Sequence, residues 1–317
     1  MARRGHDPPF HGILNLNKPK GVTSFAMVTL VRRLTGFRRV GHAGTLDPIA
    51  EGVLPILLGQ ATRVAEYLID QPKVYLTTLR LGQATDTYDA DGVVTAEADP
   101  SGVTREALEE AAAAFTGEIE QLPPMYSAVK YQGQPLYRYA RAGEEVERAP
   151  RRVVIYRIDV VAFEPPFATI EVECGRGAYV RTLAHDIGVR LGCYAHLAAL
   201  TRLRAGPFRL EDAVTPDALR EAAVAGTWQE LLWATDTPLE SWRAAILGPQ
   251  HTRAAREGRP LFLEPARPDA FTLPPGALCR AYSTDGDFLA VLRYEGGRLW
   301  QPDKVFAPFP QPPESGR

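Results

Sequence analysis

Cysteine is scarce in this sequence, which has only Cys174, Cys193 and Cys279 among its 317 residues. Their odd number and wide spacing argue against a disulfide framework. No two of them form a CxxC pair, so we expect no structural zinc site. The sequence also lacks GxGxxG and Walker A motifs, which argues against a nucleotide cofactor.

Long apolar runs are missing as well. No uninterrupted apolar stretch approaches the ~20 residues that span a bilayer. The N-terminal residues MARRGHDPPF are basic but lack the apolar core of a signal peptide. An apolar content of 45% and a charged content of 23% are ordinary for a globular protein. We therefore expect a cytoplasmic protein of about two domains with no membrane partner.

Charge is unevenly distributed, although the net charge is only −2. Residues 82–120 carry ten acids and one base, whereas residues 176–209 carry six arginines and one acid. A chain of this kind can present a basic face to a polyanion while an acidic face points away. A mixed, solvated surface explains the same counts equally well.

Periodicity predicts alternating strands and helices over most of the chain. HGILNLNK reads as a strand, and SFAMVTLVRRLTG reads as a helix with Ser24 as its N-cap and Gly36 at its end. Thr104 is the predicted cap of a second helix. From about residue 243, short apolar segments separated by Gly and Pro turns indicate a small β-barrel or sandwich.

The segment GHAGTLDPIAEGVLP places the carboxylate of Asp47 on a glycine-rich stretch. Four arginines precede it within residues 32–39. An Asp-Pro pair often begins a helix or forms an Asx-turn. Here Gly52 and Pro55 would interrupt such a helix, and the run that follows favours a short buried strand.

Six blocks of the sequence, in order, resemble those of the TruB-type pseudouridine synthases, and the match covers most of residues 10–210. The blocks are LNKPKG, GHAGTLDPIAEGVLPILLG, KVY, LGQATDTYDADG, PPMYSAVKYQGQPLYRYARAG and GAYVRTLAHDIG. The resemblance implies an α+β fold with a mixed, largely antiparallel central sheet flanked by helices. It further implies a small C-terminal β-rich, PUA-like domain that binds RNA.

The expected domain organisation follows from the same resemblance. We expect a flexible N-terminus over 1–10 and a catalytic domain over 11–240 that carries a thumb-like insertion at about 123–152. The PUA-like domain would occupy 241–309, and a flexible tail 310–317.

The activity implied by the resemblance is isomerisation of uridine to pseudouridine at position 55 in the T-loop of tRNA. The N1–C1′ bond is cut and the base is rejoined through C5, which needs no metal and no cofactor. The target uridine must first be flipped out of the loop. The expected partner is therefore the tRNA T-arm, and the protein is expected to be a monomer.

Site residues are carried over from the family by position. Asp47 corresponds to the catalytic aspartate, which acts as a nucleophile or base, and Arg181 to the arginine that pairs with it. Tyr75 corresponds to the tyrosine that stacks on the flipped base. Tyr179 and Leu200 line the base pocket, and His42 fills the gap that the base leaves.

Several cations are candidates for phosphate contacts. Two follow the first predicted strand, two precede the Asp47 loop, and the rest lie in the thumb-like insertion. They are Lys18, Lys20, Arg38, Arg39, Lys130, Arg138 and Arg141. For any one of them, a solvated surface charge is the ordinary alternative.

Three other functions compete with this interpretation. A glycosidase would need two carboxylates flanking a bond, but Glu51 and Glu66 near Asp47 have no second signature. A tRNA-binding or folding factor on the same scaffold would keep the basic face and the tyrosines. A guide-dependent relative works inside a ribonucleoprotein, although the thumb-like insertion favours the stand-alone type.

Overall fold

The computed structural model describes residues 10–127, 129–264 and 273–306. The predicted flexible ends lie outside these ranges, except for Phe10. No helix within the described ranges combines the length and apolarity needed to cross a membrane.

Most strands before residue 233 belong to one ten-stranded sheet. The strands up to Trp233, in this sheet and outside it, are β1 (Gly12–Lys18), β2 (Val40–His42), β3 (Ala50–Leu58), β4 (Lys73–Leu81), β5 (Gln83–Thr85), β6 (Val94–Glu97), β7 (Gly117–Gln121), β8 (Lys130–Tyr131), β9 (Gln134–Pro135), β10 (Arg151–Glu164), β11 (Phe167–Cys174), β12 (Ala195–Ala205), β13 (Phe208–Arg209) and β14 (Leu232–Trp233). The order in the sheet is β14-β1-β3-β12-β4-β11-β10-β7, with β2 on β3 and β13 on β12. Two separate hairpins, β5-β6 and β8-β9, lie off this sheet.

The sheet is mixed and largely antiparallel, as predicted. Only the β3–β12 pair in it is parallel. β12 therefore lies between β3 on one side and β4 on the other. This arrangement brings three distant segments of the sequence to one place: Arg202 faces Gly52 across one strand pair and Tyr75 across the other.

The α-helices flank the large sheet, except for the one that follows the β8-β9 hairpin and the one in the C-terminal segment. They are α1 (Ser24–Thr35), α2 (Ala65–Ile69), α3 (Arg105–Ala113), α4 (Leu136–Arg141), α5 (Val180–Arg190), α6 (Pro216–Ala225) and α7 (Pro249–Arg256). Short 3-10 helices span Gly59–Val64, Leu210–Asp212, Trp228–Leu231 and Thr237–Leu239. The main apolar cluster joins α1, α3 and α5 to the sheet.

The cap of α1 differs from the prediction. The Thr23 hydroxyl, not that of Ser24, accepts a hydrogen bond from the Ala26 amide at 3.1 Å. Gly36 ends the helix in the left-handed conformation, as expected. Thr104 caps α3, also as expected.

The C-terminal segment forms a second, five-stranded sheet. Its strands are β15 (Ala244–Leu247), β16 (Leu261–Phe262), β17 (Leu278–Ser283), β18 (Phe288–Gly296) and β19 (Leu299–Val305). Their order is β15-β17-β18-β19-β16. This confirms the predicted β-rich C-terminal region.

The two sheets share an apolar cluster. Val291 and Phe306 of the C-terminal segment pack with Val53 and Leu57 of β3, all of them buried. Polar contacts flank this cluster: the Tyr67 hydroxyl donates to Asp303 at 2.6 Å. Lys304 Nζ also lies 2.9 Å from a Glu66 carboxylate oxygen.

Candidate active site

Asp47 lies on the loop between β2 and β3, and this loop is fixed on both sides of the carboxylate. The Ser24 hydroxyl donates to the Leu46 carbonyl at 2.9 Å and accepts from the Leu46 amide at 2.8 Å. The Gly21 amide donates to the Pro48 carbonyl at 2.8 Å. The LNKPKG segment therefore supports the loop directly, which explains why a motif so far upstream belongs to the site.

Gly52 meets a strict packing requirement at the start of β3. Its φ is +98°, and a Cβ atom there would lie 2.4 Å from the carbonyl oxygen of Arg202. A side chain at this position would push β3 away from β12. Glycine is thus required by the sheet beside the site as well as by backbone conformation.

Arg181 and Asp47 come together, although 133 residues separate them in the sequence. Arg181 lies in the first turn of α5, and its Nη2 is 3.2 Å from Asp47 Oδ2. The arginine side chain is 6% exposed, whereas that of Asp47 is 36% exposed. The carboxylate thus rests on a buried cation and keeps an open side.

Arg181 has a second carboxylate partner, Asp89, which the sequence analysis did not identify. Arg181 Nη1 lies 3.3 Å from Asp89 Oδ2, and the Asp89 side chain is 6% exposed. The Thr87 hydroxyl and the Asp91 amide donate to the other oxygen of Asp89, at 2.6 and 3.2 Å. Asp89 belongs to the block LGQATDTYDADG, but among so many acids nothing in the pattern distinguishes it.

These contacts act on the protonation of Asp47 in opposite directions. Burial raises the pKa of Asp47 above its usual value, and the neighbouring Asp89 adds to this shift. Arg181 opposes it, and so does Lys18 to a smaller extent. The two cations therefore favour the ionised form that a nucleophile or base requires.

Tyr75 and Leu200 lie on adjacent strands of the sheet. Leu200 of β12 is paired with Ala50 of β3 and with Thr77 of β4, so it sits at the junction of the three strands. Burial raises the pKa of the Tyr75 hydroxyl, and the positive charge of Arg202 opposes this shift. Both residues are thus held by the sheet rather than by a loop.

Tyr179 precedes α5 and lies beside Arg181. Its ring centroid is 5.9 Å from the Arg181 guanidinium carbon. Its backbone amide and carbonyl both bond to the Gln121 side chain, at 2.7 and 3.0 Å. These contacts fix the position of the ring next to the Asp47–Arg181 pair.

His42 ends β2, five residues before Asp47. Its Nδ1 is buried and has no hydrogen-bond partner among the described residues. Burial lowers the pKa of His42, and the positive charge of Arg202 lowers it further. The imidazole is therefore neutral near pH 7.

Lys18 does not lie where a phosphate contact would need it. Its side chain is fully buried, and Nζ donates to the carbonyls of Pro19 and Val22 at 3.0 and 2.9 Å. This inward position argues against the predicted phosphate contact, because the ammonium group supports its own loop instead. The other predicted phosphate contacts are all exposed: Lys20, Arg38, Arg39, Lys130, Arg138 and Arg141.

Two features of the described ranges bear on other sites. No group of three or more His, Cys, Asp and Glu side chains there is arranged to hold a metal ion. A cavity of about 510 Å³ lies between the two sheets, next to Trp233 and Phe288. None of its lining residues is among the predicted site residues.

Comparison with known families gives two matches that are contiguous along the chain. A family model described as "TruB family pseudouridylate synthase (N terminal domain)" matches residues 32–180. A second, described as "tRNA pseudouridylate synthase B C-terminal domain", matches residues 181–242. Asp47 lies in the first range, and Arg181 is the first residue of the second.

Curated relatives share much of the sequence. A protein of Syntrophotalea carbinolica named tRNA pseudouridine synthase B is 51% identical over 66% of this chain and 68% of its own length. Proteins of the same name from Thiobacillus denitrificans and Dehalococcoides mccartyi are 44% and 40% identical. They cover 91% and 95% of this chain, and 93% and 98% of their own lengths.

The fold also has a solved counterpart. A chain in a structure described as "Crystal Structure of a Cbf5-Nop10-Gar1 Complex" aligns with a TM-score of 0.72 and 26% identity. It covers 94% of this chain and 85% of its own length. The sequence blocks, the family models and the relatives agree, and the chain belongs to the TruB family of pseudouridine synthases.

Proposed function

We propose that this protein isomerises uridine to pseudouridine at position 55 in the T-loop of tRNA. The observation that carries the proposal is Asp47, a partly exposed carboxylate held 3.2 Å from a buried arginine on a rigid loop. The names of the curated relatives support tRNA as the substrate. The position within tRNA rests on the family resemblance.

Asp47 is the catalytic group in this proposal. Its ionised carboxylate attacks or deprotonates the flipped nucleotide while the N1–C1′ bond breaks, and the base rejoins through C5. Arg181 holds the carboxylate in place and favours its charge. The net reaction is an isomerisation, so it consumes no oxidant, reductant or nucleotide.

The flipped base would lie among three side chains near Asp47. Tyr75 stacks on it, and Tyr179 and Leu200 line the remaining pocket, a common way for proteins to hold an unstacked base. His42 fills the space that the base leaves in the loop. A neutral imidazole suits that place, because it can stack between bases without adding charge.

The T-arm is the proposed binding partner, and shape is its proposed means of recognition. Lys20, Lys130, Arg138 and Arg141 contact phosphates, and the C-terminal β-rich sheet is a PUA-like module that extends the RNA-binding surface. We also propose that the protein acts as a monomer in the cytoplasm. The alternatives of a pure folding factor and a guide-dependent enzyme are less favoured, because the relatives at 40–51% identity are named for tRNA.

An assay with one protein and one RNA tests the proposal. The purified protein is incubated with an unmodified tRNA transcript, and pseudouridine is mapped by carbodiimide adducts that stop reverse transcription. We expect one stop, at position 55, and none in a matched transcript with cytidine at that position. Modification at another position, or none without a guide RNA, contradicts the proposal.

A further inference from the structure

Gln121 carries a buried amide that no step of the proposed reaction uses. It is the last residue of β7, and only 2% of it is exposed. A buried amide needs hydrogen-bond partners, because the loss of its contacts with water is otherwise uncompensated. The partners of Gln121 therefore indicate what it does.

Both polar atoms of the Gln121 amide bond to the backbone of one residue, Tyr179. Oε1 accepts from the Tyr179 amide at 2.7 Å, and Nε2 donates to the Tyr179 carbonyl at 3.0 Å. Glutamine can make this pair of bonds because its planar amide carries both an acceptor and a donor. An ionised carboxylate could make only the first bond, and a hydrocarbon side chain could make neither.

Helix α5 begins at this contact. Tyr179 is its N-cap residue, but the Tyr179 side chain caps none of the helix amides, all of which lie in the described ranges. The Tyr179 carbonyl also accepts from the Leu183 amide at 3.1 Å, which is the first hydrogen bond of the helix. Gln121 thus fixes the start of α5 from a neighbouring strand, and Arg181 lies in the first turn that follows.

The segment that follows Gln121 makes a second contact, with the Arg181 side chain. The Tyr126 carbonyl accepts from Arg181 Nη2 at 2.5 Å, and the same nitrogen lies 3.2 Å from Asp47 Oδ2. Residues 121–126, which lead into the thumb-like insertion, therefore hold both the backbone before Arg181 and its guanidinium.

We infer that Gln121 is a positioning residue for the isomerisation, which holds the Arg181 guanidinium in place against Asp47. The inference rests on the proposed function, in which Asp47 reacts and Arg181 keeps it ionised and oriented. A guanidinium contacts a carboxylate in fixed directions, so a shift of the first turn of α5 alters that contact. A misplacement of about 1 Å near a reacting group can slow a reaction about 100-fold.

A double-mutant cycle under single-turnover conditions tests this role. The proteins are the native chain, Gln121→Met, Arg181→Lys and the double variant, each at saturating tRNA. Gln121→Met keeps the length of the side chain and removes both bonds to Tyr179. We expect it to slow the reaction about 10- to 100-fold, while tRNA affinity changes little because Gln121 is buried.

In the Arg181→Lys background, Gln121→Met should slow the reaction markedly less, because the forked guanidinium that it positions is already gone. Effects that simply multiply would overturn the inference, since Gln121 would then act independently of Arg181. A loss of tRNA affinity at an unchanged single-turnover rate would overturn it as well.

The matched control is Glu120→Met in the same strand. Glu120 is exposed and directly precedes Gln121, so its side chain lies on the opposite face of β7. We expect it to leave the single-turnover rate unchanged. A loss equal to that of Gln121→Met would assign the effect to β7 as a whole and overturn the inference.

NMR of the Arg181 guanidinium tests the positioning itself and needs no tRNA. Gln121→Met should shift the guanidinium N–H resonances of Arg181, whereas Glu120→Met should leave them in place. Gln121→Asn, whose amide is one methylene shorter, gives the same test if Gln121→Met does not fold. Unshifted Arg181 resonances would overturn the inference. If the native protein proves inactive on tRNA, the proposed function fails, while this measurement still decides whether Gln121 positions Arg181.

Discussion

Arg181 shares its charge between two carboxylates that differ in exposure. Asp47 has an open side, whereas Asp89 is as buried as the arginine itself. Asp89 can therefore serve as the permanent counterion of Arg181, which leaves Asp47 accessible to substrate. Arg181 can therefore favour the ionised form of Asp47, the proposed reacting group, while Asp89 neutralises the buried guanidinium.

Arg181→Ala should consequently affect both stability and turnover. The substitution leaves Asp89 buried without its cation, which typically costs about 3–5 kcal/mol of the free energy of unfolding. Arg181→Lys keeps the charge and should lose much less stability. Urea denaturation measures both variants, and single-turnover assays measure their rates. A stability of Arg181→Ala within the error of the native value would contradict the buried-pair account.

The pKa of Lys18 provides a test of the buried, inward position of its side chain. Burial lowers the pKa of Lys18 to about 8. In the unfolded chain its pKa is about 10.4, so between these values the unfolded state binds more protons. The contribution of Lys18 to stability should therefore rise with pH across this interval and be constant below it.

The measurement is the free energy of unfolding at pH 7 to 10 for the native protein and Lys18→Met. The native protein should gain stability relative to the variant by at most ~3 kcal/mol between pH 8 and 10, since one pKa unit corresponds to ~1.4 kcal/mol. A difference that does not change with pH would mean that the Lys18 ammonium titrates as an exposed lysine.

Some site residues can be recognised in the sequence and others cannot, for physical reasons. Asp47, Arg181 and Tyr75 stand in blocks whose residue types resemble a family pattern. Asp89 stands in such a block too, but the pattern does not distinguish it from the neighbouring acids, because its importance lies in its contact with Arg181, which is far away in the sequence. The Lys18 side chain shows a further limit: a motif specifies the residue, but packing decides which way it points.

At the scale of elements, the thumb-like insertion at about 123–152 presents cations around the β8-β9 hairpin. β8 and β9 pair, α4 follows, and the rings of Tyr131 and Tyr139 pack edge to face at 5.8 Å. Leu136 is buried, whereas Lys130, Arg138 and Arg141 are exposed. An internally packed segment with an exposed cationic surface suits contact with RNA phosphates.

Lys130→Ala should weaken tRNA binding and reduce its salt dependence. Each phosphate contact contributes about 0.7–0.9 to the slope of log affinity against log salt. The single-turnover rate of the bound complex should change little. Arg105→Ala, an exposed arginine on the acidic segment 82–120, is the control and should leave the slope unchanged. An unaltered slope for Lys130→Ala would show that this part of the segment does not contact RNA.

Elements were predictable where the local pattern is strong. The pattern of HGILNLNK predicted a strand, and β1 occupies Gly12–Lys18. The parallel pairing of β3 with β12 was not predictable, since 136 residues separate Leu58 from Ala195 and only the folded sheet brings their strands together. The cap of α1 was missed by one residue, because Thr23 and Ser24 are equally suitable by type.

At the scale of the whole molecule, the C-terminal sheet is packed against the large one. Val291 and Phe306 complete an apolar cluster whose other members include Val53 of β3. β3 begins three residues after Asp47. The C-terminal sheet therefore supports the strand that follows the Asp47 loop, in addition to its proposed part in RNA binding.

Deletion of residues 241–317 should lower stability and tRNA affinity together. Exposure of the apolar cluster costs ~1.5–3 kcal/mol for each large side chain that loses its cover. Below its melting temperature the truncated protein should still isomerise uridine, and kcat/KM should fall more on full-length tRNA than on a T-arm hairpin. An equal loss on both RNAs through kcat would contradict a role of this sheet in binding RNA.

The most direct test of the account is tritium release from tRNA that contains 5-tritiated uridine. Pseudouridine formation replaces the hydrogen at C5, so each turnover releases one tritium. The native protein should release one equivalent per tRNA, and Asp47→Asn should bind tRNA nearly as well but release none above a control without enzyme. Clear release by Asp47→Asn, or none by the native protein, would contradict the central claim.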